Sequence, residues 1–330
     1  MTSLVMLLSA AWAQQALTFE ATRAVEHGKD PAVVTFHPAE TGRVEAEITC
    51  DGQVFRLARS VVGGQPAQLP LTGLAQGDHA CAGDLKMQTT DGTVIEGAIQ
   101  FRVASLGTLG LTSSLEAYDR PGQQLVVQAD RPLGEAMISV YGAHGALLAE
   151  AQADLADPLR PRFRWDAKGQ VVVRMVVLAQ DELGFRTELE LLPWEYRVPH
   201  EDVVFPTNGS DVAEAEVGKL EQTWSAIAEA IGLYGDVIPI TLYIGGYTDT
   251  VGDPASNQAL SERRARSIAA WYRKRGFTGP IFYQGFGEAA LAVPTGDNVD
   301  QQANRRAVYL LTVTTPSASA DFPRAAWKRL

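Results

Sequence analysis

Ile238-Pro-Ile-Thr-Leu-Tyr-Ile244-Gly-Gly246-Tyr-Thr-Asp249-Thr-Val-Gly252 changes the grammar of the chain. Ile238, Ile240, Leu242 and Ile244 alternate with their neighbours, the period of a strand, and Gly245-Gly246 ends it. A helix is expected from about Asn257 to Arg275, where Gly276 and the cations Arg273-Lys-Arg275 mark its stop. Upstream, Ala213, Val217, Leu220, Trp224, Ile227 and Ile231 recur at helical steps. They place a first helix over Val212–Leu233, with Ser210 or Asp211 as N-cap. Short strands are expected at Asp202–Phe205, Pro280–Gln284 and Ala307–Thr314. The order β-α-β-α-β-β predicts an α/β domain over 198–314 with its helices on one sheet face. Pro- and Ser-rich residues 315–330 read as a disordered tail.

Residues 14–197 carry strand and turn signals only. Val44, Ala46, Ile48 and Cys50 alternate up to Asp51-Gly52, and Val94–Val103 follows Asp91-Gly92. Ala104–Leu111 reads as a linker. Further strands are expected at Gln123–Gln128, Ala136–Tyr141, Ala146–Glu150, Arg162–Trp165, Gln170–Gln180 and Phe185–Leu192. The fold class is therefore multi-domain: two all-β, Ig-like sandwich domains (14–104 and 105–197), then the α/β domain. Most strands are shorter than the roughly nine to eleven residues of an outer-membrane barrel strand, and few aromatics flank them.

Leu4–Trp12 is a short apolar run, and Ala11-Trp-Ala13 fits signal-peptidase cleavage, so residues 1–13 read as a signal peptide lacking a positive n-region. The alternative is a short strand at a domain edge. Export places Cys50 and Cys81 in an oxidising compartment, where an even pair reads as one disulfide, with two buried thiols as the alternative.

The 330 residues are 46% hydrophobic and 20% charged, ordinary globular values. A net charge of −11 disfavours nucleic-acid binding. No apolar run reaches the roughly 18 residues of a membrane-spanning helix. Two cysteines do not make a zinc site, and neither a metal nor another cofactor is expected.

On a helical wheel, Asn257, Leu260, Arg264, Ile268, Trp271 and Tyr272 share an arc of about 120°, and Arg263, Arg266, Arg273 and Lys274 fall outside it. Arg264 thus sits among sheet-facing residues and needs an anion. Asp249, just past the preceding strand, is the best candidate. The pair is either a buried bridge that holds the loop or a receptor for a zwitterion, in which the carboxylate takes an ammonium and the guanidinium a carboxylate.

Gly246-Tyr-Thr-Asp249-Thr-Val-Gly252, Asn257-Gln-Ala-Leu-Ser261-Glu-Arg-Arg264-Ala265, Gly285-Phe-Gly-Glu288, Pro294, Asn298 and Asn304-Arg-Arg306 together resemble the OmpA C-terminal-like family over about 198–314. The resemblance implies noncovalent binding of peptidoglycan in the periplasm, with Asp249 and Arg264 gripping the diaminopimelate of the stem peptide. Thr248, Asn257, Arg305 and Asn208 match further contact positions, and Leu260 and Ser261 would shape the pocket wall. Arg305 and Arg306 are expected to open a strand with side chains on opposite faces, Arg305 toward ligand and Arg306 structural. Pro206 replaces an acidic residue common in the family, and Tyr247 stands where a histidine is common.

The expected function is therefore cell-wall binding in the periplasm, with contact to the outer membrane left open by the sequence, and with the β-domains spacing the anchor from, or reaching toward, an unknown envelope protein. The alternative is an envelope scaffold or adhesion module whose OmpA-like domain has lost its ligand. No Gly-x-Ser-x-Gly, His-Glu-x-x-His or P-loop is present, so no enzyme is expected.

Overall fold

The computed structural model describes residues 4–6, 16–206 and 209–330. The signal segment expected at 1–13 lies outside these residues except for Leu4–Met6, whose backbone pairs antiparallel with Leu17–Ala21.

Hydrophobic cores follow one another along the chain. The first is built from Leu17 to Val103. It takes residues from a four-stranded sheet and from a five-stranded sheet containing Gly42–Cys50, Gln53–Val61, Gly77–Thr89 and Val94–Leu106. Asp51 (φ 47°) and Gly52 (φ 89°) turn the first hairpin with two positive φ values, which is why an Asp-Gly pair marks it. Cys50 and Cys81 are direct cross-strand partners, joined as a disulfide. The second core runs from Leu109 to Ala179. Its main sheet is antiparallel, in the order Leu147–Gln152, Leu133–Tyr141, Arg174–Asp181, Arg186–Leu191. Little of 104–111 is linker: the preceding strand continues to Leu106, and Leu109 is already buried in the second core.

The last unit has one five-stranded sheet. Its elements are β1 (Glu195–Arg197), α1 (Val217–Tyr234), β2 (Thr241–Gly246), α2 (Pro254–Arg275), β3 (Ile281–Gly285), β4 (Ala307–Thr312) and β5 (Lys328–Arg329). The order across the sheet is β1-β4-β2-β3-β5, with β2 and β3 parallel and the other pairs antiparallel. Leu242, Ile244, Ile281, Tyr309 and Leu311 face α1 and α2. Tyr243, Val308 and Leu310 point to the other face. Both faces are covered, so β2 and β4 are buried along their whole length.

Three expectations are corrected. The first strand is Glu195–Arg197, not Asp202–Phe205. Pro199 has no N–H, so the ladder on β4 ends at Val198, whose N–H still reaches Tyr309 O. Beyond it, side chains meet the β4 backbone: His200 Nε2 contacts Ala307 O at 2.7 Å, and Asp202 Oδ1 accepts from Ala307 N at 3.2 Å. Second, α1 starts later than Val212. A 3-10 turn, Glu214–Glu216, precedes it, and neither Ser210 nor Asp211 caps it. Third, residues 315–330 are ordered. Phe322 is 3% exposed and packs with Trp327, and β5 pairs with β3. Pro- and Ser-rich composition signalled disorder, but two aromatics supply enough apolar surface to dock the segment on the second sheet face.

Candidate functional site

β2 and β3 end in register at Gly246 and Gly285, and the site is built from the loops that leave them. Asp253 caps α2 by accepting from Ser256 N at 2.9 Å, with Pro254 in the first turn. The helix then lies very close to the strand ends. A Cβ on Gly246 would sit 2.4 Å from Ser261 O, and one on Gly285 would sit 2.3 Å from Glu262 N. Only glycine permits this approach.

The most buried stripe of α2 is Asn257, Ser261, Arg264, Ala265, Ile268, Ala269 and Tyr272. It is centred on the small residues, and Leu260 and Trp271 are only half-buried at its margins. Ser261 is fully buried. It accepts from Gly287 N at 2.9 Å and donates to Gln258 O at 2.9 Å, so it pins the β3 loop to the helix rather than lining a pocket. Asn257 donates to Glu288 Oε2 (2.9 Å), Val251 O (3.2 Å) and Asp249 O (3.4 Å), tying both loops together. Thr248 N donates to Gly287 O at 2.9 Å, and its buried Oγ1 has no partner among the described residues.

Arg264 is 8% exposed. Its guanidinium lies 5.0 Å from the Phe205 ring centroid and donates to Gly209 O (3.0 Å) and Pro206 O (3.3 Å). No carboxylate among the described residues is within ion-pair distance of it. Burial, and next the neighbouring Arg305 cation, lower its pKa from the ordinary guanidinium value, and Asp249 acts the other way. It stays a cation at working pH.

Asp249, 7% exposed, is bonded to Arg305 rather than to Arg264. The direct Asp249–Arg264 bridge, one of the two expected readings, is absent from the described contacts. Arg305 also pairs with the exposed Asp300. Asp300 and then Asp249 raise its pKa above the ordinary value. Arg305 and Arg306 precede β4 rather than opening it, Arg305 closing the 3-10 turn Gln302–Asn304. Arg306 donates to Ala290 O at 3.0 Å and lies 4.1 Å from the Tyr247 ring centroid. Asn208 lies outside the described residues.

An open cavity of about 850 Å³ lies here, lined among others by His200, Asp202, Phe205, Arg264, Arg305 and Arg306. Arg264 and Arg305 therefore reach one solvent-connected space, whereas Asp249 is not among its lining residues and is linked to it only by the ion pair with Arg305. His200 has both ring nitrogens near carbonyl oxygens, Val198 O at 2.8 Å and Ala307 O at 2.7 Å. Burial opposes the imidazolium, but Asp202 and the two carbonyls outweigh it and raise the pKa. Sequence reasoning gave no site role to His200, Asp300 or the Phe205 platform, and it quoted Glu288 in a family-like block without assigning its bond to Asn257. Of the first three, Asp300 had a local signal, an acid five residues before Arg305.

Comparison with known proteins bears on this domain. Residues 204–305 match the model of the OmpA family. Outer membrane protein A of Escherichia fergusonii is 34% identical over 104 residues, which cover 31% of this chain and 41% of that protein. Outer membrane protein A of Escherichia coli O157:H7 is 34% identical over 104 residues, 31% of this chain and 29% of that protein. The chain thus spans less than half the length of these curated relatives. Among solved structures, the OmpA-like domain of FopA1 from Francisella tularensis subsp. tularensis SCHU S4 is 14% identical, covers 43% of this chain and 79% of its own, and has a TM-score of 0.26. The cell wall anchor of the T6SS from Pseudomonas aeruginosa is 17% identical, with 44% and 85% coverage and a TM-score of 0.25. At such scores the likeness carries no argument. The C-terminal domain is OmpA-like, and residues before 204 take no part in the family match.

Proposed function

We propose that the C-terminal domain binds peptidoglycan noncovalently by gripping the diaminopimelate residue of its stem peptide. The observation that carries this reading is the Arg264 guanidinium: buried, partnered by carbonyls rather than a carboxylate, and lining a cavity open to solvent. A buried cation of this kind is a receptor for a ligand anion. The family match at 204–305 supports a binding rather than a catalytic role.

Recognition proceeds by exchange of ion pairs. Arg305 holds the Asp249 carboxylate and also has Asp300 to lean on. The ligand ammonium displaces Arg305 from Asp249, and Arg305 keeps Asp300 while turning donors toward a stem-peptide carboxylate. Arg264 takes the diaminopimelate carboxylate. Asn257 and Thr248 hold the loop on which Asp249 rides, Asn257 through its side-chain amide and Thr248 through its backbone N–H to Gly287 O. Affinity per site is modest, because binding must offset desolvation of the site's own charges and the loss of an existing ion pair. The wall is a repeating polymer, so many weak sites suffice. Under this reading the protein sits in the periplasm with its disulfide closed, and the β-rich units space the anchor from an envelope partner.

Co-sedimentation with purified sacculi tests the proposal. Wild-type protein is expected in the pellet with no soluble muropeptides released. Arg264→Ala and Asp249→Ala, folded by circular dichroism, are expected to lose roughly tenfold or more in affinity, since each removes charge-assisted hydrogen bonds. Folded variants that pellet as well as wild type would overturn the assignment and favour a domain with a non-wall partner.

A further inference from the structure

The segment 316–330 lies outside the family match, yet it touches Tyr247 and Phe286, the residues that open the two loops leaving β2 and β3. Tyr247, 1% exposed, donates its phenol to the Asp321 carbonyl. Its ring stacks on Phe286 at 5.2 Å, and Phe286 packs against Phe322 at 6.4 Å and Trp327 at 5.8 Å. Gly245 makes room: a Cβ there would lie 3.1 Å from Phe322 and 3.0 Å from the Tyr247 hydroxyl. The segment is fastened at its flanks by Arg197 to Asp321 (2.6 Å) and Lys328 to Glu262 (2.5 Å).

The two loop aromatics held by this strap, Tyr247 and Phe286, each lead into site residues. Tyr247 precedes Thr248 and Asp249. Phe286 precedes Gly287, whose carbonyl receives Thr248 N, and Glu288, which receives Asn257. Arg306, seated over the Tyr247 ring, follows Arg305. No strap residue lines the cavity of Arg264 and Arg305.

We infer that residues 316–330 are a positioning strap: docked on the second sheet face, they hold Tyr247 and Phe286 so that the 247–252 and 286–288 loops and Arg305 are preorganised for the ligand. This rests on the peptidoglycan reading for its affinity consequence, but not for its structural one. Preorganisation improves affinity by removing the ordering cost from the binding step, without adding a contact.

The experiment uses the full chain, the chain ending at Thr315, and the full chain carrying Phe322→Ala with Trp327→Ala. Tyr247→Phe keeps the ring and removes only the phenol bond. Hydrogen exchange is read first, because it needs no ligand. Loss of the strap is expected to speed exchange of the Thr248 and Gly287 amides by about tenfold or more while the α1 amides are unchanged. Sacculus affinity is expected to fall roughly five- to tenfold, the range of couplings carried through packed neighbours. A synthetic 316–330 peptide added to the shortened chain is expected to restore both, and the same peptide with both aromatics replaced is not. Tyr247→Phe is expected to fall between wild type and the shortened chain, which keeps the test in force if truncation unfolds the domain. Unchanged exchange at Thr248 and Gly287 in a folded strapless protein overturns the inference. So does unchanged sacculus affinity when Arg264→Ala abolishes binding. If wild type itself fails to bind sacculi, the peptidoglycan reading falls, and the exchange result alone decides the strap.

Discussion

Gly246→Ala probes the contact that aims Asn257 and Arg264 at the site. The added methyl would sit 2.4 Å from Ser261 O and 3.2 Å from Ala265 Cβ, against 3.4 Å for an ordinary contact. The shortfall is about 1 Å against a helix carbonyl, which cannot rotate away as a side-chain tip can. Either α2 retreats or the strand bends. Overpacking of this kind costs roughly 1–3 kcal/mol, and a gap of about 0.5–1 Å forfeits a quarter to a half of the dispersion energy along the lifted face. That face includes the buried Ile268, Ala269 and Tyr272, so the total is expected at about 2–4 kcal/mol. Denaturant unfolding followed by tryptophan fluorescence reads it, since Trp194, Trp224, Trp271 and Trp327 all lie in this domain. The control is Gly232→Ala in α1, where an added Cβ meets nothing within 4 Å; it is expected to stabilise by about 0.4–1 kcal/mol. A Gly246→Ala protein within about 0.5 kcal/mol of wild type would refute the claim that glycine sets the helix–sheet distance.

Two histidines set a pH dependence. The His79 pKa is raised, first by its bond to the Ala75 carbonyl and, against the opposing effect of burial, by the Asp51 carboxylate at 2.8 Å; His200 is raised as described. A raised histidine stabilises the fold fully below its unfolded pKa of about 6.5 and loses that contribution as pH rises through the folded value. The melting temperature is therefore expected to fall as pH rises above about 6.5, and His79→Gln with His200→Gln is expected to flatten the slope; an unchanged slope in the double variant counts against it. Reducing the Cys50–Cys81 disulfide, with a sequence separation of 31, should destabilise the first β-rich unit by roughly 3–4 kcal/mol on the chain-entropy model. Calorimetry should show that transition moving while that of the OmpA-like domain stays. Asn304, fully buried, accepts from Val293 N at 2.8 Å and donates to Val293 O at 2.9 Å. Asn304→Ala leaves both backbone groups unpaired and is expected to cost about 2–4 kcal/mol by denaturant unfolding, whereas a cost under about 1 kcal/mol would mean that water replaces the clamp.

The helices and core strands of the OmpA-like domain were legible because each carries a local signal: alternation through Ile244, Gly276 after Arg275, and the apolar steps of α1. The wheel correctly put Arg264 and Asn257 on the buried face of α2. It misplaced the centre of that face, because hydrophobicity weights Leu260 and Trp271, whereas the closest packing falls where Ser261 and Ala265 are small. The Asp249–Arg305 pairing spans 56 residues, and no spacing rule reports such a contact. The first strand was misread because apolar Val203-Val204-Phe205 looks like a strand, while Pro199 had already ended the ladder. The tail was misread because composition averages over the segment, and two aromatics that cover the second sheet face outweigh the polar residues around them.

Calorimetric titration with soluble stem peptides separates the two halves of the site. A peptide with diaminopimelate at its third position carries both an ammonium and a carboxylate on that side chain, whereas the lysine version keeps only the ammonium. Wild-type protein is expected to bind the diaminopimelate peptide at least about tenfold more tightly, one charge-assisted pair being worth roughly 1.5–3 kcal/mol, and Arg264→Ala is expected to erase the difference. Equal affinities in wild type, or full discrimination surviving in Arg264→Ala, would contradict the role given to the buried guanidinium.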